Sequence, residues 1–121
     1  MEQLTYRSPL GDRNGKNRKF ADWLNELGKQ SGAYVIRRTL NNKILYVGES
    51  HTGRLATTIK RHFWKWKEDE QHFHFTCDPA DVDIAVRITP QKSAKGAQDN
   101  LIRRLKPKYN TIGTPEEEPA F

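Results

Sequence analysis

AYVIRRTLNNKILYV, residues 33 to 47, decides the fold of this chain. Its two halves, residues 33–39 and 43–47, are rich in β-branched and aromatic side chains, and Leu40-Asn41-Asn42 between them is a hairpin signal. Strand parity then constrains two tyrosines. A two-residue Asn41-Asn42 loop pairs Tyr46 with Arg37 and puts Tyr34 and Tyr46 on opposite faces of the sheet, whereas an odd loop or a bulge puts both on one face.

Working outward toward the N-terminus, Phe20, Trp23, Leu24 and Leu27 recur at helical spacing and Gly28 gives a stop signal, so a short amphipathic helix is expected. The stretch before it, RSPLGDRNGKNRK at residues 7–19, is rich in Gly, Asn and basic residues, and residues 1–19 read as a basic flexible arm.

On the other side of the hairpin, Glu49-Ser50-His51-Thr52-Gly53 is a polar stretch able to cap a helix predicted from Arg54 to about Trp66. Leu55, Ile59, Phe63 and Trp66 form its apolar stripe. Arg54, Thr58, Arg61 and Lys65 form an adjacent ridge, whose cations repel one another unless an anion lies across them. Arg61 and Lys65 are therefore candidate nucleic-acid contacts, the alternative being a solvated flank.

Farther on, Phe73, Phe75 and Cys77 alternate with polar residues, and Asp78-Pro79-Ala80-Asp81 turns the chain into Val82, Ile84, Val86 and Ile88, which read as a further strand or hairpin. His72 and His74 would share a strand face, but no third ligand is placed by spacing, so zinc is not expected. A helix over Lys92–Leu105 buries Ala94, Ala97, Leu101, Ile102 and Leu105, and Gln98 falls inside that stripe. A polar amide there is either a hydrogen-bonded packing residue or the wall of a site. Residues 113–121, with Glu116, Glu117 and Glu118, read as an acidic tail. The expected fold class is α+β: a small, mainly antiparallel three-stranded sheet flanked by helices, forming one domain over residues 20–112.

The chain has 121 residues and a formal charge of +6, which fits one domain with a polyanionic partner. Its single cysteine, Cys77, has no internal disulfide partner, which fits a reducing compartment. No apolar run approaches the roughly 20 residues of a membrane span, and the N-terminus lacks a signal-peptide h-region. A soluble, cytoplasmic protein with no membrane partner is the expectation.

Gly32-Ala33-Tyr34, then Tyr46-Val47-Gly48-Glu49-Ser50, a helix carrying Arg and His, and a last helix running into Pro107-Lys108-Tyr109-Asn110 together resemble the GIY-YIG nuclease family over residues 31–112. The resemblance implies a DNA endonuclease that hydrolyses a phosphodiester with one divalent ion, Mg or Mn, with RNA as the other nucleic acid to consider. It assigns Tyr34 and Tyr46 to positioning or deprotonating the attacking water and an arginine of the first long helix to the phosphate. Ala56 stands at the family's usual arginine position, so Arg54 is the first candidate and Arg61, on the same ridge, the second. His62 matches a helical histidine of several members, and also borders the Leu55 stripe, where a packing role competes with a catalytic one.

Gln98 occupies the position of the family's metal-binding Glu. A neutral amide offers a hard cation one carbonyl oxygen and no charge, so affinity for Mg²⁺ should fall. The residue is a natural divergence or a deliberate replacement. Gly32, Gly48 and Asn110 match family positions that line the site or hold sheet and helix together. Two other readings stand beside the nuclease: a catalytically inactive nucleic-acid-binding module of the same fold, and a basic protein-interaction domain with only fold-level similarity.

Overall fold

A computed structural model of the chain describes residues 4–12, 19–63 and 77–108. Three antiparallel strands, β1 (Ser31–Arg38), β2 (Ile44–Ser50) and β3 (Val82–Thr89), form one sheet in the order β2-β1-β3. Helices α1 (Asp22–Asn25) and α2 (Leu55–Arg61) pack on one face and α3 (Ala94–Leu105) on the other. The expected α+β architecture is the one observed. Among the described residues, no helix is long and apolar enough to cross a membrane.

Parity explains the two cores. β1 is buried on both faces: Tyr34 and Ile36 point toward Leu24, Leu55, Ile59 and Ile84, while Ala33 and Val35 point toward Val47, Ala85 and Leu101. Burying each such aliphatic side chain contributes about 1.5–3 kcal/mol relative to exposure. The register slips between Ile36 and Arg37, where Ile36 pairs with Tyr46 but Arg37 pairs with Ile44. Leu45 is thus the extra residue of a β-bulge, and Leu45 and Tyr46, though adjacent, both pack on the Tyr34 side. Of the two parities open to the sequence, the bulge selects the one that places both tyrosines on one face.

Two expectations are corrected. Part of the stretch expected as an arm is docked: Arg7 and Ile84 exchange backbone hydrogen bonds of 2.9 and 2.8 Å, the Trp23 indole N–H donates to the Ser8 carbonyl at 2.7 Å, and Pro9 and Leu10 are buried. The outer edge of β3 and the indole supply partners that a composition argument does not register. Residues 13–18 of that stretch lie outside the described residues.

The helix expected to reach about Trp66 ends at Arg61, with His62 as its C-cap and a turn through Phe63. The turn brings the His62 carbonyl to the Cys77 N–H at 2.8 Å, a tertiary bond that ends the helix before its apolar stripe does. Lys65, Trp66, His72, His74, Asn110 and the acidic tail lie outside the described residues. The last helix matches its expected span, except that Gln91–Ser93 form a 3-10 turn before it.

Candidate functional site

Tyr34 leaves the middle of β1 and crosses the neighbouring strand over Gly48, the residue directly opposite it in the ladder. A Cβ at position 48 would overlap the Tyr34 hydroxyl oxygen and Cζ and stand 2.9 Å from Cε1, so only glycine leaves room for this ring. Gly32 answers a different need: its φ is +153°, and a Cβ there would overlap the Arg87 carbonyl oxygen of β3. The two glycines let one strand carry a large ring against β2 and a close backbone against β3.

Three rings meet beyond Gly48. The Tyr34 and Tyr46 centroids are 6.3 Å apart, and the His62 ring lies 5.4 Å from Tyr34 and 4.9 Å from Tyr46, all tilted. Nε2 of His62 lies 2.5 Å from the Tyr34 hydroxyl, with both residues buried. Burial, reinforced by the nearby Tyr46 and Glu49, holds the Tyr34 phenol well above its usual pKa, and Arg61 acts in the opposite sense. Tyr34 therefore keeps its proton at neutral pH, and its hydroxyl donates to Nε2 of His62 or accepts from it according to which ring nitrogen carries the imidazole proton. Tyr46 is also raised, by burial and then by Glu49, and is less buried than Tyr34.

The loop after β2 is pinned so that α2 can present His62. The buried hydroxyl of Ser50 accepts from the Arg54 N–H at 3.1 Å, and that of Ser31 accepts from the Gly53 N–H at 3.0 Å. These side-chain bonds satisfy amides at the start of a helix whose own N-cap, Arg54, offers no side-chain cap.

The predicted site residues fall into two groups. Tyr34, Tyr46, His62 and Gly48 come together on the α2 face, and Arg61, exposed in the last turn of α2, is the cation that acts on Tyr34. Arg54 is exposed at the opposite end of that helix. Gln98 is half-buried on α3, the helix that covers the other face, and no described residue hydrogen-bonds its amide. Tyrosines and amide thus do not share one face of the sheet.

Glu49, opposite Ala33, also starts from the α3 side, yet it is close enough to raise both phenols. Its carboxylate is held by His51, a contact that the sequence analysis does not predict. The i, i+2 spacing of the two residues on an extended chain was the available signal.

Among the described residues, no group of three or more His, Cys, Asp or Glu side chains is placed to hold a metal. The donors on the α3 side are the Glu49 carboxylate and the neutral carbonyl oxygen of Gln98. One carboxylate and one neutral amide do not make a dedicated protein cage for a divalent ion.

Fold and site define a small α+β domain with a phenol–imidazole cluster packed under a basic helix end. No protein-family model matches the chain, and no curated protein matches it.

Proposed function

We propose that this domain binds DNA and hydrolyses a phosphodiester bond at the Tyr34–Tyr46–His62 cluster, as a nuclease domain of the GIY-YIG type working inside the cell. The observation that carries the reading is the hydroxyl of Tyr34 set on His62 across a glycine that exists to admit it. A second phenol ring, that of the partly buried Tyr46, lies 4.9 Å from the same imidazole.

In this reading Tyr46 aims the attacking water, and His62, the basic group of the cluster, takes up its proton through the hydroxyl network. Tyr34, donating to Nε2 in this reading, holds the imidazole's orientation. Arg61 offsets charge that develops on the phosphoryl oxygens. A divalent ion, when bound, supplies further positive charge at the phosphate, with Glu49 and Gln98 as the side chains that would hold it.

The neutral Gln98 and the two protonated phenols favour a second reading, a binding module of the same fold that has lost hydrolysis. Nicking of supercoiled plasmid in Mg²⁺ or Mn²⁺ separates the two. The nuclease reading expects nicking that falls by about 10²-fold or more in Tyr46→Phe and His62→Ala, and rises at least about tenfold in Gln98→Glu, equivalent to roughly 1.4 kcal/mol of barrier. If neither the parent nor Gln98→Glu cuts DNA that both bind, the binding module stands instead.

A further inference from the structure

Ile84 exchanges both of its outward backbone bonds with Arg7, which fixes the direction of every other backbone group on β3. β3 pairs with β1 residue for residue from Val82 to Thr89, so the alternation continues, and the N–H and C=O groups of Val86 and Ile88 also point away from β1. Leu4 and Thr5 precede Arg7 in the chain, yet among the described residues neither makes a backbone bond to Val86 or Ile88.

Those open groups border a pocket of about 390 Å³. Trp23 and Leu27 line it together with Ile84, Val86 and Ile88, whose side chains alternate onto the face where α1 packs. Along this row exposure rises from 1% at Ile84, where Arg7 pairs, to 48% at Ile88, where no described residue does. An unpaired backbone row beside an apolar pocket fits an extended peptide. Its main chain supplies donors and acceptors at the two-residue spacing of the edge, and every second side chain faces the pocket.

Arg87, between the two open residues, lies opposite Ala33 and so leaves from the face that α3 covers. That cation decides between occupants. A second copy pairing edge to edge about a two-fold axis would set Val86 of one chain against Ile88 of the other, and would bring the two Arg87 side chains directly opposite each other, a destabilising like-charge pair. An acidic side chain at the same place forms an opposite-charge cross-strand pair instead. Arg7 and Glu26, both exposed and both lining the pocket, offset each other there, so discrimination by charge falls on Arg87.

We infer that the outer edge of β3 is a docking site for an extended segment of another protein, with an acidic side chain opposite Arg87 and apolar side chains flanking it, opposite Val86 and Ile88. The segment extends the three-stranded sheet by one strand and turns its apolar side chains toward Trp23 and Leu27. β2 is the other outer strand and the tyrosine cluster lies beside it, so the added strand leaves the cluster open.

The test titrates the full chain, isotopically labelled at nitrogen, with a capped peptide of threonine, valine, glutamate, leucine and threonine, and with a second peptide carrying lysine in place of the glutamate. Amide shifts are expected to saturate at Val86, Arg87 and Ile88 with a Kd of about 1 mM or tighter, and the lysine peptide to bind about fivefold or more weakly. Arg87→Glu should reverse that order. Ile88→Pro removes an outward N–H and leaves the bonds to β1 in place, so it should keep a cooperative unfolding transition and lose the peptide. No saturation, equal binding of the two peptides by the parent, undiminished binding by folded Ile88→Pro, or shifts centred on Arg54 and Arg61 would each overturn the assignment. Self-association of the parent that Ile88→Pro abolishes would overturn it in favour of a second copy.

Discussion

Gly48 is the position where a single carbon atom decides whether the tyrosine cluster can exist. Its constraint is space and not backbone conformation, since the overlap is with the Tyr34 ring. Gly48→Ala is therefore expected to lower unfolding free energy by about 1–3 kcal/mol, as overpacking does, with the midpoint read in urea. The loss should shrink when Tyr34→Ala is made in the same chain, because the two atoms compete for one volume.

Cys77 gives a residue-scale prediction about pH. Burial, then Asp78 and Asp81, push its thiol up to about 12 from an ordinary 9.0. A raised folded-state value means that its contribution to stability is complete below about pH 9 and is lost as pH rises toward 12. Thermal unfolding followed from pH 8 to 10, a window in which the raised tyrosines begin to contribute as well, should show a falling midpoint whose slope is smaller in Cys77→Ser; an unchanged slope would count against the burial argument.

At the scale of elements, the bulge in β2 governs which side chains share a core. It turns Leu45 inward beside Tyr46, at 3% exposure, while Leu40 in the hairpin turn is 91% exposed. Leu45→Ala is expected to cost about 2–5 kcal/mol and Leu40→Ala to stay within about 0.5 kcal/mol, both measured by chemical denaturation. Similar losses at both positions would mean that the ladder runs without its bulge.

Residue patterns reported the elements better than their ends. The stripes of Leu55-Ile59 and Ala94-Leu101 predicted α2 and α3 because each buries one face and the period survives in sequence. The stop of α2 at Arg61 depends on a bond from Cys77, which is distant in sequence, and the docking of Pro9 and Leu10 depends on Trp23 and the β3 edge. Such contacts leave no local period. The parity of the tyrosines was legible only as a choice between two outcomes, because a bulge is settled by how both flanks pack. The Glu49–His51 pair was within reach from spacing, whereas the approach of Tyr34 to His62 was not.

For the whole molecule, the formal charge of +6 bears on partners. DNA affinity is expected to be micromolar or tighter at low salt and to fall linearly in log Kd against log salt, by about 10³-fold between 50 and 200 mM if some six phosphates are neutralised. Fluorescence anisotropy with a labelled duplex measures the slope, and a flat line would reject binding dominated by phosphate.

The strand order β2-β1-β3 also sets a schedule. The β1–β2 hairpin closes a short turn, but β1 must wait for β3, which arrives only after α2 and the chain up to Asp81. Loop-closure entropy makes the second pairing the slower event. On a ribosome, the first two strands then emerge with the β3-facing edge of β1 unpaired, a template for intermolecular pairing. In stopped-flow refolding, Val47→Ala should slow folding, while Val82→Ala should chiefly speed unfolding.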